Sequence, residues 1–289
     1  MKELRPGVWF VEAENRGRYP YAHSLYLKGE ERLLIDTGAG PVLKELAGKT
    51  EKVVLSHYHR DHVTYNHLFT GACFYIHEDD AVGVESMEGF LRISGLDQVD
   101  IESYWKMVRQ SNFSATRIDR RLKDGDHFDL GGLQMQVLHL PGHTPGHCGF
   151  LIDNYNIVFA ADIDLTRFGP WYGNVSSDVI QFRQSIRRLR ELKPDMIITG
   201  HSTPVKENIS QKLAQYETAL DQRDEEILAA LKEKPSTLEE LSAKNIIYRR
   251  HYGQEILKHF ENKMIAKHLE SLLKRELVVK MENGLYEAL

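Results

Sequence analysis

The sequence predicts a layered domain of β-strands and α-helices, followed by a smaller, mostly helical unit. Three observations lead there. Short runs rich in Val, Ile, Leu and aromatic residues, each closed by polar or glycine turns, recur through the first two thirds of the chain. An amphipathic helical pattern lies between the last two of these runs, the order expected of stacked α and β layers. From about Asn208 onwards the apolar spacing changes from strand-like to helical. The 289 residues, with 42% hydrophobic and 27% charged side chains and a formal charge of −5, suit one large domain plus a smaller one. They exclude a disordered or fibrous chain.

Strands are expected at 8–11, 24–27, 32–35, 52–55, 133–140, 157–160 and 196–199, bounded by turns such as Thr37-Gly38 and Gly131-Gly132. Over 178–192 a helix sets Val179, Phe182, Ile186 and Leu189 on one face and Arg187, Arg188 and Arg190 on the other, with Ser176 or Ser177 as its cap. Ile209, Leu213, Tyr216, Leu220, Ile227 and Leu231 mark a long helix that stops at Lys234-Pro235-Ser236. A short helix follows, capped by Ser236 or Thr237 with Glu239 and Glu240 in its first turn. A third is expected around Ile256 and a fourth over 263–275, with Ile265, Leu269, Leu272 and Leu273 inward. Residues 277–281, the turn Glu282-Asn283-Gly284, and Leu285-Tyr286 read as a hairpin. Helices followed by a hairpin resemble a winged helix. The expected division is 1–207 for the catalytic domain and 208–289 for a helical linker and winged-helix-like domain.

The start of the chain lacks the apolar run of a signal peptide, and nowhere do roughly 18 apolar residues run together to span a membrane. Cys73 and Cys148 are too few for a disulfide framework or a thiolate zinc site. A cytoplasmic protein without membrane partners is the expectation.

Histidine is the anomaly. Of fourteen, five fall between His57 and His77, three between His139 and His147, and three between His251 and His268. Metal chemistry here has to run through imidazole and carboxylate. Ser56-His57-Tyr58-His59-Arg60-Asp61-His62 follows directly on an expected strand. An extended backbone points His57 and His59 to one side, and Asp61 and His62 come where the chain turns. Four N/O donors within six residues suit a hydrolytic two-metal site.

This H-x-H-x-D-H motif resembles that of the metallo-β-lactamase superfamily, and four further segments resemble the family's motifs in order: Leu34-Ile35-Asp36-Thr37-Gly38, Pro141-Gly142-His143-Thr144-Pro145-Gly146-His147, Phe159-Ala160-Ala161-Asp162 and Thr199-Gly200-His201. The resemblance implies an α/β four-layer αββα sandwich, the metallo-β-lactamase fold, with the metals at one edge. It implies that His57, His59 and His143 hold one metal, that Asp61, His62 and His201 hold a second, that Asp162 bridges them and that Asp36 supports them from behind. Such metals share a hydroxide that attacks a carbonyl or phosphoryl centre, and Asp61 is the residue expected to orient it. Zinc is the default, with iron or manganese also suited to the donors. His59 in place of glutamate argues against the flavodiiron branch, and Asp61, His62 and His201 argue against the single-iron persulfide dioxygenase branch.

Other histidines receive lesser roles: His147 orients a ligand by a hydrogen bond or simply packs, His67 lies on a helix surface or in the core, and His139 is structural. The bulky Val63-Thr64-Tyr65-Asn66-His67, where many members have glycines, bears on pocket depth alone. Residues 79–117, with Trp105, Met107 and Phe113, are expected to form a lid, and Trp171 and Tyr172 to line the mouth. Arg117, Arg120 and Arg121 read as a solvated strand face. Eleven basic and eleven acidic residues over 225–289 give the C-terminal unit no basic face for nucleic acid. That unit is expected to brace the active-site edge or a homodimer, with Tyr248-Arg249-Arg250-His251-Tyr252 a local basic and aromatic cluster or, equally, a packing or dimer contact. The function expected is a dinuclear metal-dependent hydrolase of an ester, thioester or lactone carbonyl in a small metabolite. The alternative is a metal-dependent endoribonuclease of single-stranded RNA.

Overall fold

The computed structural model describes residues 1–97, 99, 113–250 and 254–289. Strands β1 (Lys2–Arg5), β2 (Val8–Val11), β3 (Ser24–Lys28), β4 (Arg32–Ile35), β5 (Lys52–Val54), β6 (Cys73–His77) and β7 (Arg120–Leu122) form one sheet in that order. Its pairings are antiparallel as far as β4 and parallel from there on. A second sheet runs β12 (Met196–Ile198), β11 (Ile157–Phe159), β10 (Cys148–Ile152), β9 (Gln134–His139) and β8 (His127–Asp129), parallel only between β11 and β12. Helices α1 (Arg60–Val63), α2 (Val82–Glu85) and α3 (Met87–Ser94) belong to the first sheet's side. Helices α4 (Val179–Leu192), α5 (Ile209–Glu233), α6 (Leu238–Ser242) and α7 (Glu255–Lys274) belong to the second's, with the hairpin β13 (Val278–Lys280) and β14 (Tyr286–Ala288) after them.

Strand alternation builds three apolar layers. In β4, Leu33 and Ile35 face inward to meet Met135, Val137, Phe150, Phe159 and Ile198 of the other sheet. Leu34 faces outward, with Val53, Leu55 and Ile76, against Leu43, Val84 and Phe90. On the far side, Leu138, Leu151, Val158 and Ile197 meet Val179, Phe182, Ile186 and Leu189 of α4, then Leu213, Tyr216 and Leu220 of α5. Strands buried on both faces explain the near-continuous apolar runs. The four-layer αββα sandwich expected from the sequence is the fold observed.

The same topology gathers strand ends. The C-terminal ends of β4 and β5 open onto one edge, and β9 and β11, both antiparallel to β10, point to that edge together with β12. Asp36 (φ 59°) and Ala161 (φ 43°) turn the chain there in left-handed backbone, the kind of local strain that surrounding packing has to hold in place. Gly38 is required: a Cβ on it would lie 1.9 Å from the carbonyl oxygen of Asp61.

Several expectations need correction. The cap of α4 is Asp178, whose carboxylate accepts from the Ile180 and Gln181 amides at 2.7 and 3.0 Å, not Ser176 or Ser177. The helices expected around Ile256 and over 263–275 are one helix, α7, because no Gly or Pro interrupts residues 255–274. Thr237 and Glu240 close a reciprocal capping box on α6. Of the expected lid, Phe113 packs on the first sheet's outer cluster, while Trp105 and Met107 lie outside the described residues. No helix among the described residues is long and apolar enough to cross a membrane.

The C-terminal helices are tied to the sandwich by a buried carboxylate. Asp224 of α5 accepts from Arg183 of α4 (2.8 Å), from His268 of α7 (2.6 Å) and from Arg275 (2.6 Å). Burial raises its pKa, but His268, Arg275 and Arg183 outweigh that and hold it below the ordinary value. A depressed folded pKa contributes stability that is present above the unfolded value near ~3.9 and is lost as pH falls through the folded value. Asp224→Ala is expected to cost about 3–5 kcal/mol in urea denaturation at neutral pH. The deficit relative to wild type should shrink as pH is lowered below ~4; a constant deficit would remove the carboxylate from the account.

Candidate metal centre

Four loops and the short helix α1 bring the expected ligands together at the sandwich edge. His57 and His59 follow β5, Asp61 and His62 sit on α1, His143 follows β9, Asp162 follows β11, and His201 follows β12. The donor atoms of His57, His59, His143 and Asp162 lie within 4.8 Å of one another, as do those of Asp61, His62 and His201. Asp162 links the two groups. Its Oδ2 is 3.1 Å from His143 Nε2 and 3.9 Å from His57 Nε2. Its Oδ1 is 2.9 Å from His62 Nε2 and 3.4 Å from His201 Nε2. Asp61 Oδ2 lies 3.3 Å from His201 Nε2.

Four of the five imidazoles are oriented from behind. His143 Nδ1 donates to the carbonyl of Trp171 (2.8 Å) and His201 Nδ1 to that of Gly17 (2.6 Å), so both turn Nε2 inward. His62 Nδ1 donates to Asp36 (2.7 Å). The Ser56 hydroxyl donates to Asp36 (2.7 Å) and therefore accepts from His57 Nδ1 (2.9 Å). With the Ser56 amide also bound at 2.7 Å, one fully buried carboxylate aligns two histidines. His59 is turned the other way, its Nδ1 2.8 Å from His143 Nε2 and its Nε2 against the Asn174 carboxamide.

The charges segregate. Burial and neighbouring imidazoles hold His57 and His59 well below the ordinary histidine pKa. Burial also opposes charge on His62, yet Asp162 and Asp36 outweigh it and push it up to about 10. His201 is raised against burial by Asp162 and Asp61. Burial pushes Asp61 upward, but His201 and His62 bring it down to about 2, and Asp162 is likewise held low by its histidines.

The donors fit divalent cations. His57 Nε2, His62 Nε2 and Asp162 Oδ1 are buried without hydrogen-bond partners. The last two are 2.9 Å apart but out of hydrogen-bond alignment. Orphaned buried donors and acceptors are costly, and imidazole nitrogens with carboxylate oxygens are borderline ligands suited to zinc, iron or manganese.

The structure also places the remaining residues. His147 donates to the Leu140 carbonyl (2.9 Å) and accepts from the Asp162 amide (3.2 Å), so it fixes the turn carrying Asp162. Burial lowers its pKa to about 3. His67 is exposed and bonds the Thr64 carbonyl. His139 stacks on His77 at 4.0 Å and bonds the Pro145 carbonyl (2.8 Å). Arg117 and Arg120 pair with Asp119 and Asp126, and Arg121 with Glu85, as an exposed ion-pair face. Trp171 lies 5.6 and 5.7 Å from the rings of His59 and His143. Tyr172, expected at the mouth, is instead fully buried and bonded to His268 (2.6 Å) and Arg223 (2.8 Å). Tyr248 accepts from the Trp171 indole (3.0 Å), while His251 and Tyr252 lie outside the described residues.

Sequence reasoning missed Asp80. Its carboxylate accepts from Thr144 Oγ1 (2.6 Å) and the Gly146 amide (2.7 Å), anchoring the loop that carries His143. Burial pushes its pKa up to about 7. No spacing in His77-Glu78-Asp79-Asp80 distinguishes it from a surface acid.

The family model described as the metallo-beta-lactamase superfamily matches residues 19–201. The chain is 25% identical over 233 residues to the beta-lactamase-like protein 2 homolog of Drosophila melanogaster, covering 76% of this chain and 72% of that one. It is 25% identical over 213 residues to an atrochrysone carboxyl ACP thioesterase of Aspergillus fumigatus, covering 70% of this chain but only 57% of that one. Among solved structures, a metallo-beta-lactamase family protein of Thermus thermophilus has a TM-score of 0.79 at 23% identity, covering 99% of this chain and 100% of that chain. That likeness is one of fold.

Asp36→Ala would strand the Ser56 amide and His62 Nδ1 in the interior. It is expected to lower the unfolding free energy by about 1–3 kcal/mol, and by more if His62 keeps its charge. Chemical denaturation measures this; an unchanged midpoint would mean that Asp36 organises nothing.

Proposed function

The chain belongs to the metallo-β-lactamase superfamily, and from that premise we propose that it is a dinuclear metal hydrolase acting on an ester, thioester or lactone carbonyl of a small metabolite. The observation that carries the proposal is Asp162, whose two oxygens reach two separate groups of imidazoles. In this reading His57, His59 and His143 hold one cation, Asp61, His62 and His201 the other, and Asp162 belongs to both. Zinc is the proposed metal because imidazole donors predominate. Divalent cations bound there supply Lewis acidity to the scissile carbonyl and acidify water.

The protein's own contribution is orientation. The carbonyls of Trp171 and Gly17, Asp36 directly and Asp36 through Ser56 fix which nitrogen of His143, His201, His62 and His57 faces inward. Asp61 is proposed to hold the attacking water by hydrogen bonding. Trp171, half-buried beside His59 and His143, gives an apolar wall to the acyl side of the substrate. No Ser or Cys nucleophile is needed. The free thiols Cys73 and Cys148 accord with a proposed cytoplasmic location.

An acyl substrate is favoured over RNA by the formal charge of −5 and the neutral C-terminal unit. The similarity to an ACP thioesterase supports the same choice. The test is one panel of acyl thioesters, aryl esters, lactones and labelled single-stranded RNA, run on metal-replete protein, on chelator-treated protein and on Asp162→Asn. Turnover of an acyl substrate is expected, abolished by chelation and reduced by roughly 10²-fold or more in Asp162→Asn. Cleavage of RNA with no acyl turnover would overturn the substrate class, and activity indifferent to chelator would overturn the metal.

A further inference from the structure

Among the described residues, His59 is the one imidazole of the centre whose outer nitrogen is met neither by a main-chain carbonyl nor through Asp36. It is met by the carboxamide of Asn174, on the loop between β11 and α4. Asn174 is only 3% exposed, and its main chain is fixed on both sides. Its carbonyl accepts from the Ser177 amide (3.2 Å), and the Val175 amide donates to the Ser94 carbonyl (3.3 Å). A Cβ on Gly173 would lie 2.6 Å from the Trp171 ring. What can still turn is the planar side-chain amide, about its Cβ–Cγ bond.

The hydrogen bonds show where the protons lie. His143 Nδ1 donates to the Trp171 carbonyl, so His143 Nε2 accepts from His59 Nδ1 at 2.8 Å. Held well below the ordinary histidine pKa, His59 is neutral and carries one N–H. Its Nε2 is therefore an acceptor, and it takes a hydrogen bond from Asn174 Nδ2. The same Nδ2 donates to the Tyr58 hydroxyl (2.8 Å). Both side-chain bonds of Asn174 thus run through Nδ2, and among the described residues none runs through Oδ1.

This arrangement puts a proton on the nitrogen of His59 that faces the other donors. Sharing a cation with His57 and His143 requires the lone pair of His59 Nδ1, which moves the single N–H to Nε2. Nε2–H would then face Nδ2–H, two donors opposed in the interior, at the cost of an unmet buried group. Turning the amide over exchanges Nδ2 for Oδ1, atoms of nearly equal size, in the same place. Oδ1 accepts from His59 Nε2–H and from the Tyr58 hydroxyl, which can donate as well as accept. The proton given up by Nδ1 is regained on Nε2, so the imidazole stays neutral.

We propose that Asn174 is the positioning residue of His59: its amide turns over when that imidazole gives Nδ1 to a cation, and Oδ1 then holds the proton on Nε2. This rests on the dinuclear reading above.

The experiment is competition of the full chain against a chelating dye for zinc, in wild type, Asn174→Leu, Asn174→Asp and His143→Ala. Long-range proton–nitrogen correlation spectra of the His59 ring are recorded on metal-free and zinc-loaded wild type. Asn174→Leu keeps the shape without the acceptor, and is expected to weaken one of the two ions by about 10–100-fold, the same ion that His143→Ala weakens. Retention of the other ion shows that the variant is folded. Asn174→Asp, whose carboxylate only accepts, should bind that ion at least as tightly as wild type. The spectra should place the His59 proton on Nδ1 without zinc and on Nε2 with it. Wild-type affinity for both ions in Asn174→Leu would overturn the proposal and leave the dinuclear reading standing. So would a loss in Asn174→Asp equal to that in Asn174→Leu, the mark of a merely structural side chain, or a proton on Nε2 before loading. Uptake of at most one ion by wild type would overturn the dinuclear reading itself, and the proposal with it.

Discussion

A carboxylate sunk among five imidazoles at the seam of two sheets is the constraint from which the rest of this structure follows. Asp162 has to present one oxygen to His143 and His57 and the other to His62 and His201. No single element can supply donors on both sides of a carboxylate. The fold supplies them by ending β5, β9, β11 and β12 on one edge, so that loops from both sheets converge. The left-handed turns at Asp36 and Ala161 and the side-chain-free Gly38 are local consequences of that crowding. So is Gly200, where a Cβ would meet the His62 ring at 2.7 Å.

Convergence alone would leave the rings free to rotate, and the polar scaffold behind them removes that freedom. Asp36 governs His62 directly and His57 through Ser56. The C-terminal helices act on the same centre at longer range. Arg223 of α5 donates to the carbonyls of Pro170 and Phe168 (2.6 Å each), and His268 of α7 bonds Tyr172. Tyr248 and Phe260 hold Trp171, whose carbonyl orients His143. The loop over 168–174 is therefore shaped from outside the sandwich, which gives the C-terminal unit a physical part in the site through its described residues Arg223, Tyr248, Phe260 and His268.

Much of this was legible in the sequence, for reasons that differ by element. The candidate site was readable because its histidines and carboxylates follow strand ends, and strands buried on both faces write themselves as apolar runs. The helix over Val179–Leu192 was readable from Val179, Phe182, Ile186 and Leu189, all of which are buried. Strand β1, Lys-Glu-Leu-Arg at the sheet edge, carries no apolar alternation to find, and β7 and β8 are three residues each. Asp80 and Tyr172 were not legible because their roles depend on partners 66 and 96 residues away, which no local pattern encodes. The join of two expected helices into α7 was legible in principle, since nothing between Glu255 and Lys274 breaks a helix.

Metal content per chain, by elemental analysis of fully loaded wild type beside His143→Ala, addresses the central claim most directly. The account predicts close to about two divalent ions per wild-type chain and fewer in the variant, because Asp162 has donors on both sides. At most one ion per fully loaded wild-type chain would contradict it, and the two donor groups would then have to be read as a single centre with its supporting shell.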